Sequence, residues 1–325
     1  MTKTTDTTLL ANGGYATKSY DGTIPFSDVA ALFDFDARFT KLYVPSADGV
    51  TEVPGKSAII HGDTGNVLNV VSNRYAIHQF RDVLLTNVSD LLDTATTDLG
   101  IVGAGLLDNG GVGWVQVAPA EGIVVNGDTL TPTLTVVSSH NGKYATSYKT
   151  GLFRMRCSNQ LGSMRSKVGN TYKMKHTRNS WMRLHDARTT LNLMFEDTHK
   201  TVASVAEMMA TSVTDREFLS IVERLNPKPE VKVADGDVVN EGAMTRWSHR
   251  RDRLWAMWTE DERVGFRGTA WGAVQAFSTF NQHERSYRDM KSVTRAGSVM
   301  ASFLSGTVDR TDQKVLAAVG AVKDV

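Results

Sequence analysis

Apolar positions along this chain change their spacing several times, and each change marks an element. Between residues 41 and 60 short runs of Val, Ile and Tyr are cut by Pro45, Gly49 and Pro54, which predicts extended chain; Val67-Leu68-Asn69-Val70-Val71 continues it as a strand. From 76 to 92 the period lengthens. Ile77, Phe80, Leu84, Val88 and Leu91 recur three and four residues apart, one apolar stripe of a helix. Between 99 and 157 runs rich in Val, Leu and Thr alternate with the turn signals Asp108-Asn109-Gly110-Gly111, Asn126-Gly127-Asp128 and Asn141-Gly142, a β-meander. A long helix over 180–210 follows, with Trp181, Leu184, Leu191, Phe195, Val202, Val205 and Met209 on its apolar side. Asp215-Arg216-Glu217 opens a short helix, and helical patterns return at 244–259, 264–284 and 288–304.

This order predicts an α+β fold: an antiparallel meander packed against a long helix, with a helical C-terminal part. Residues 1–25, rich in Thr, Gly and Asp, read as a flexible arm. The patch Val29–Phe33 opens an α+β core that runs over 26–225. The Pro- and Gly-containing stretch 226–242 reads as a linker or loop, and 243–325 as the helical region.

Composition adds little until charge is read locally. The chain sums to +1, yet residues 141–188 hold eleven Lys or Arg and one acid, Asp186, while acids outnumber cations on both sides of this window. Charge of one sign gathered along a short path creates a field that favours polyanions. Period-two geometry places Phe153, Met155 and Cys157 on one side of a strand and Arg154 and Arg156 on the other, so the expectation is a sheet with a basic face. Lys143, Lys149, Arg154, Arg156, Arg165, Lys167, Lys173, Lys175 and Arg178 are the candidate nucleic-acid contacts, and Tyr144, Tyr148 and Tyr172, interleaved with them, the candidate base-stacking groups.

Other chemistries find less support. A single cysteine, Cys157, excludes an internal disulfide and a cysteine-built zinc site, and its apolar neighbours suit a small buried side chain. His140, His176 and His185 lack metal-ligand spacing, so no metal, cofactor or catalytic residue is expected. The glycine-rich VGAGLLDNGG lacks the lysine of a phosphate loop. Trp247, Trp255 and Trp258 fall mostly on one helical face and read as packing, while Arg250, Arg251 and Arg253 are free to extend a groove or to contact a neighbouring subunit. The chain has no apolar run of membrane-spanning length and no apolar leader at its start, so a cytoplasmic location, in a bacterial host, is the expectation.

Three stretches carry a resemblance: NVVSNRYAIHQF (69–80), SSHNGKYATSYKTGLFRMRCSNQL (138–161) and GTAWGAVQAFSTFNQHER (268–285). They resemble a family recurring in phage and plasmid genomes, catalogued as domain of unknown function 932. The family pattern has Asp at the place of Asn141, Thr at that of Gln160, and Thr-Glu-Tyr at Ser278-Thr279-Phe280. The resemblance implies a mobile-element context and no catalytic residue. At the level of architecture, a meander with a basic face followed by a long helix is similar to phage single-strand annealing recombinases of the Red-beta and Erf kind, which form rings or filaments. The expectation is therefore a non-enzymatic protein that binds single-stranded DNA and anneals strands for recombination, needs no ATP, and works as a homo-oligomer. The rivals are a structural or host-modulating interaction protein, and a hydrolase or nuclease, for instance one using Asp34, Asp36 and Asp63.

Overall fold

The computed structural model describes residues 7–11, 18–47, 49–95, 98–154, 159–161, 171–174, 187–231, 233–234, 237–238, 240–285 and 294–323. It is an α+β structure built on antiparallel sheets with a helical C-terminal part. The strands are β1 (Thr8–Ala11), β2 (Lys18–Tyr20), β3 (Ala37–Ser46), β4 (Gly49–His61), β5 (Val67–Ser72), β6 (Leu99–Leu107), β7 (Val112–Pro119), β8 (Ile123–Val125), β9 (Asp128–Ser139), β10 (Thr146–Arg154), β11 (Asn159–Leu161), β12 (Thr171–Met174), β13 (Val233–Ala234) and β14 (Asp237–Val238). The helices are α1 (Phe26–Leu32), α2 (Thr86–Thr94), α3 (Ala187–Ala210), α4 (Asp215–Leu225), α5 (Glu241–Thr259), α6 (Ala270–Thr279), α7 (Arg295–Leu304) and α8 (Thr307–Lys323).

The main sheet runs β11-β10-β9-β7-β6-β1-β2, with β12 also on β10 and β8 also on β9. Its centre is the expected meander, and the turns are where the Asn and Gly residues put them. Asp108, Asn109 and Gly110 take φ of 53°, 57° and 87° between β6 and β7; Asn126 and Gly127 take 47° and 84° between β8 and β9. Asn and Gly tolerate this left-handed backbone better than other residues. Strands β3, β4 and β5 form a second, three-stranded sheet over the expected extended region.

The main sheet is covered on both faces. Val115, Val117, Leu134, Val136 and Tyr148 pack with Val29, Phe33, Phe80, Leu84, Val88 and Leu91. These last four are the predicted stripe; a π-helical turn, Arg81–Leu85, leads into α2 there, so the helix begins later than residue 76. On the other face Val112, Trp114 and Val137 meet Met300, Phe303 and Val308 of α7 and α8. Gly105 lies under Trp114: a Cβ there would sit 2.7 Å from the indole nitrogen. The largest cluster joins Leu130 and Leu152 of the sheet to helices α3–α6 and α8. Phe218 of α4 stacks on Trp258 of α5, ring centroids 4.5 Å apart, so the helices flanking the 226–242 break share one core.

One expectation changes. The N-terminal arm contains β1, antiparallel to β6, and β2, parallel to β1; Leu9 is buried, which gives the polar stretch an apolar anchor. Of the helix expected over 288–304, Arg295–Leu304 is described as α7, and α8 follows it within the region 243–325 that was expected to be helical. Residues 180–186, assigned to the long helix, lie outside the described residues, as do 155–158, 162–170 and 175–179 of the basic stretch.

Candidate functional site

Strand β10 is the backbone of the site. It pairs with β9 along one edge; on the other, Thr146–Lys149 face β12 and Leu152–Arg154 face β11. The basic stretch is thereby pinned to one edge at two places: Leu161 opposite Leu152, and Thr171 opposite Lys149.

The cations on β10 itself belong to the interior, which corrects the expected basic face. Eight of its nine residues are buried, and Lys149 and Arg154, odd and even along the strand, point to opposite sides of the sheet. Arg154 is 0% exposed. Its Nε donates to Asp128 Oδ2 at 2.5 Å, Nη1 to the Arg263 carbonyl at 2.8 Å and Nη2 to the Val264 carbonyl at 2.9 Å. Trp271 Nε1 donates to the same Asp128 oxygen at 2.9 Å. Lys149, 3% exposed, donates to Asp309 Oδ2 at 2.7 Å and to the Phe303 carbonyl, with its ammonium 4.3 Å from the Phe303 ring centroid. Burial pushes the Lys149 pKa down, and Asp309 opposes that shift. A guanidinium or ammonium held this way tethers helices to the sheet and is closed to a DNA backbone.

Lys143 is exposed and forms an ion pair with Asp108 at 2.7 Å; Asn141 Nδ2 donates to the same carboxylate at 2.9 Å. Surface pairs of this kind are weak. The stacking candidates also change role. Tyr148 is buried and donates to Asn87 Oδ1 at 2.7 Å. Tyr144 is half-buried against the Trp114 and Phe303 cluster, and burial raises its pKa. For Tyr172 and Lys173 the backbone is described, opposite Tyr148 and Ser147. Arg156, Arg165, Lys167, Lys175 and Arg178 lie outside the described residues.

A polar network that local sequence spacing could not show ties β11 to the C-terminal helices. Asn159 Nδ2 donates to Gln275 Oε1 and Thr279 Oγ1, both at 3.1 Å, and Asn159 Oδ1 lies 2.8 Å from His283 Nε2. These groups come from two of the stretches that carried the resemblance, 138–161 and 268–285, and the fold brings them together at the start of the basic segment. Nearby, Glu284 accepts from Arg253 and from Arg263, which also clamps Asp261. The hydrogen bonds from Arg253 hold the Glu284 carboxyl below its usual range. Of the carboxylates weighed for a nuclease, Asp36 is paired with Arg81 at 2.7 Å. No cluster of three or more His, Cys, Asp or Glu suited to a metal occurs among the described residues, and no helix there is long and apolar enough to cross a membrane.

No curated protein and no solved structure matches the chain. A family model described as "Domain of unknown function (DUF932)" matches residues 67–301, which reach from β5 through the meander to α7 and include both halves of the Asn159 network. With more than two-thirds of its length inside that match, the chain belongs to the DUF932 family.

Proposed function

We propose that this protein binds single-stranded DNA along the basic segment that begins at the end of β10, and that it brings complementary strands together without ATP. One observation carries the reading. With Lys149 and Arg154 removed into internal ion pairs, residues 155–186 still hold Arg156, Arg165, Lys167, Lys173, Lys175, Arg178 and Arg183 against a single acid, Asp186. A solvated surface ordinarily mixes signs, so this density needs an anionic partner. The contacts of the segment are therefore Arg156, Arg165, Lys167, Lys173, Lys175 and Arg178, with Lys143 at its margin and Tyr172 as the stacking group.

Annealing needs no bond chemistry. Cations reduce the repulsion between two phosphate backbones, and a strand laid along one edge leaves its bases free to pair. An antiparallel meander followed by a long helix is the arrangement that single-strand annealing proteins of the Red-beta and Erf kind share, and a homo-oligomer, ring or filament, would extend one short segment into a continuous path. Labelled 30-mers of single-stranded DNA, duplex DNA and RNA, titrated at two salt concentrations, test the binding; mixing two labelled complementary strands tests the pairing. Binding of single strands that weakens steeply with salt, with faster pairing, is the expected result. Equal, salt-insensitive affinity for all three, or none, would reject the reading.

A further inference from the structure

A second basic site lies outside the segment, on the C-terminal helices. Arg250 of α5 is half-buried, its guanidinium 5.3 Å from the ring centroid of Phe280, at the head of the π-helical turn Phe280–Glu284. Its Nε is buried and donates to no acceptor among the described residues. Arg285, just past the turn, donates its amide to the Phe280 carbonyl at 2.8 Å, so both arginines adjoin the same residue; burial lowers the Arg250 pKa, and the positive charge of Arg285 lowers it further. Arg285 is exposed and has no ion pair among the described residues. Its neighbour Glu284 is already clamped by Arg253 and Arg263. Arg295, at the start of α7, donates to the Arg285 carbonyl at 3.4 Å.

Like charges held together beside an aromatic ring, with a buried donor left over, form an arrangement that an anion would stabilise. We infer that Arg250 and Arg285, converging beside Phe280, form a binding site for a phosphate group. Guanidinium forks match phosphate oxygens in pairs, which a lysine cannot do. The cavity that Arg285 also borders is a different place: it measures about 40 Å³, room for about three waters, and is shared with residues of α7 and α8, among them Ser302, Thr311 and Asp312. The site does not depend on the nucleic-acid reading. Where both hold, it extends the path, because His283 in the same turn is bonded to Asn159 of β11, where the basic segment starts.

The test is made on the full chain with inorganic phosphate, a 5′-phosphorylated dT 30-mer, and the variants Arg250→Gln/Arg285→Gln, Arg250→Lys/Arg285→Lys and Arg251→Gln. Phosphate should raise the melting temperature of wild type more than chloride at equal ionic strength, and broaden its own ³¹P resonance. The double Gln variant should lose the broadening and keep only the general salting effect of phosphate. The Arg251→Gln control should behave as wild type. Should the Gln variant fail to fold, the double Lys variant, which keeps the charge and lacks the fork, should show weaker broadening. No broadening with wild type, or equal broadening with the Gln variant, would overturn the site. With the oligonucleotide, loss of one phosphate contact should lower the slope of log affinity against log salt by about 0.7. Unchanged oligonucleotide binding beside lost phosphate binding assigns the site to a free phosphate ligand. Phosphate binding without any oligonucleotide binding leaves this site standing and removes the DNA reading.

Discussion

Arg154→Ala is the most informative single perturbation, because it separates a structural cation from a binding one. Arg154 is fully buried and is the ion-pair partner of Asp128, which is 1% exposed. Truncation leaves that carboxylate with Trp271 as its remaining described donor and strips the carbonyls of Arg263 and Val264 of a partner. Breaking one half of a buried pair costs about 3–5 kcal/mol, most of it the price of the stranded charge. Water entering the gap re-solvates the carbonyls in part, which sets the expected loss at about 4 kcal/mol. With a urea slope of about 3 kcal/mol/M for a chain of this size, the midpoint should fall by about 1.3 M. The double variant Asp128→Leu/Arg154→Met should recover at least half of the loss, since it leaves no lone charge. Equilibrium urea unfolding followed by tryptophan fluorescence reads both. A loss below about 1 kcal/mol for Arg154→Ala, the range of a surface pair, would refute the buried ion pair.

Other outcomes follow from the same reasoning. Lys149→Met should destabilise by about 3 kcal/mol by stranding Asp309, and Lys149→Met/Asp309→Leu should restore much of that in the same urea assay. Thr214→Ala should cost about 1 kcal/mol: the Thr214 hydroxyl accepts from the Glu217 amide at 3.2 Å, and the Glu217 carboxylate accepts from the Thr214 amide at 2.6 Å. His61, stacked 4.0 Å from Phe35, has its pKa lowered mainly by burial, and its Nδ1 accepts from the Asp63 amide. The folded value lies below the unfolded one, so the unfolded chain binds the proton more readily. Stability should therefore be complete above about pH 6.5 and decline as pH falls below it, and His61→Phe should flatten that part of a melting-temperature profile.

The elements were legible where local rules decide them. The stripe Phe80, Leu84, Val88 and Leu91 is buried as its spacing required, and the Asn-Gly turns take the positive φ values those residues permit. The fate of the charges was not legible, for a physical reason. A charge count in a window sees neither Asp128, 26 residues before Arg154, nor Asp309, 160 residues after Lys149. Alternation along β10 suggested one dry and one wet face, but helices cover both faces of this sheet, so polar residues there mark internal hydrogen bonding. Strands β1 and β2 were hidden because few apolar residues, Leu9 and Ile24 the most buried of those described, anchor an otherwise polar stretch, and β1 finds its antiparallel partner, β6, about 90 residues further along the chain. The contact of Arg250 with Phe280 joins α5 to the turn after α6, which no spacing rule connects.

The central claim is a division between cations that build the fold and cations that meet a polyanion. Its most direct test is a side-by-side anisotropy titration of single-stranded DNA with Arg165→Gln/Lys167→Gln/Lys173→Gln/Lys175→Gln and with Asp128→Leu/Arg154→Met. The account predicts that the first variant folds like wild type and loses at least tenfold in affinity, with a salt slope smaller by about 2–3 if each lost cation meets a phosphate. It predicts that the second variant binds as wild type does. Undiminished binding by the quadruple variant, or lost binding by a well-folded Asp128→Leu/Arg154→Met protein, would contradict it.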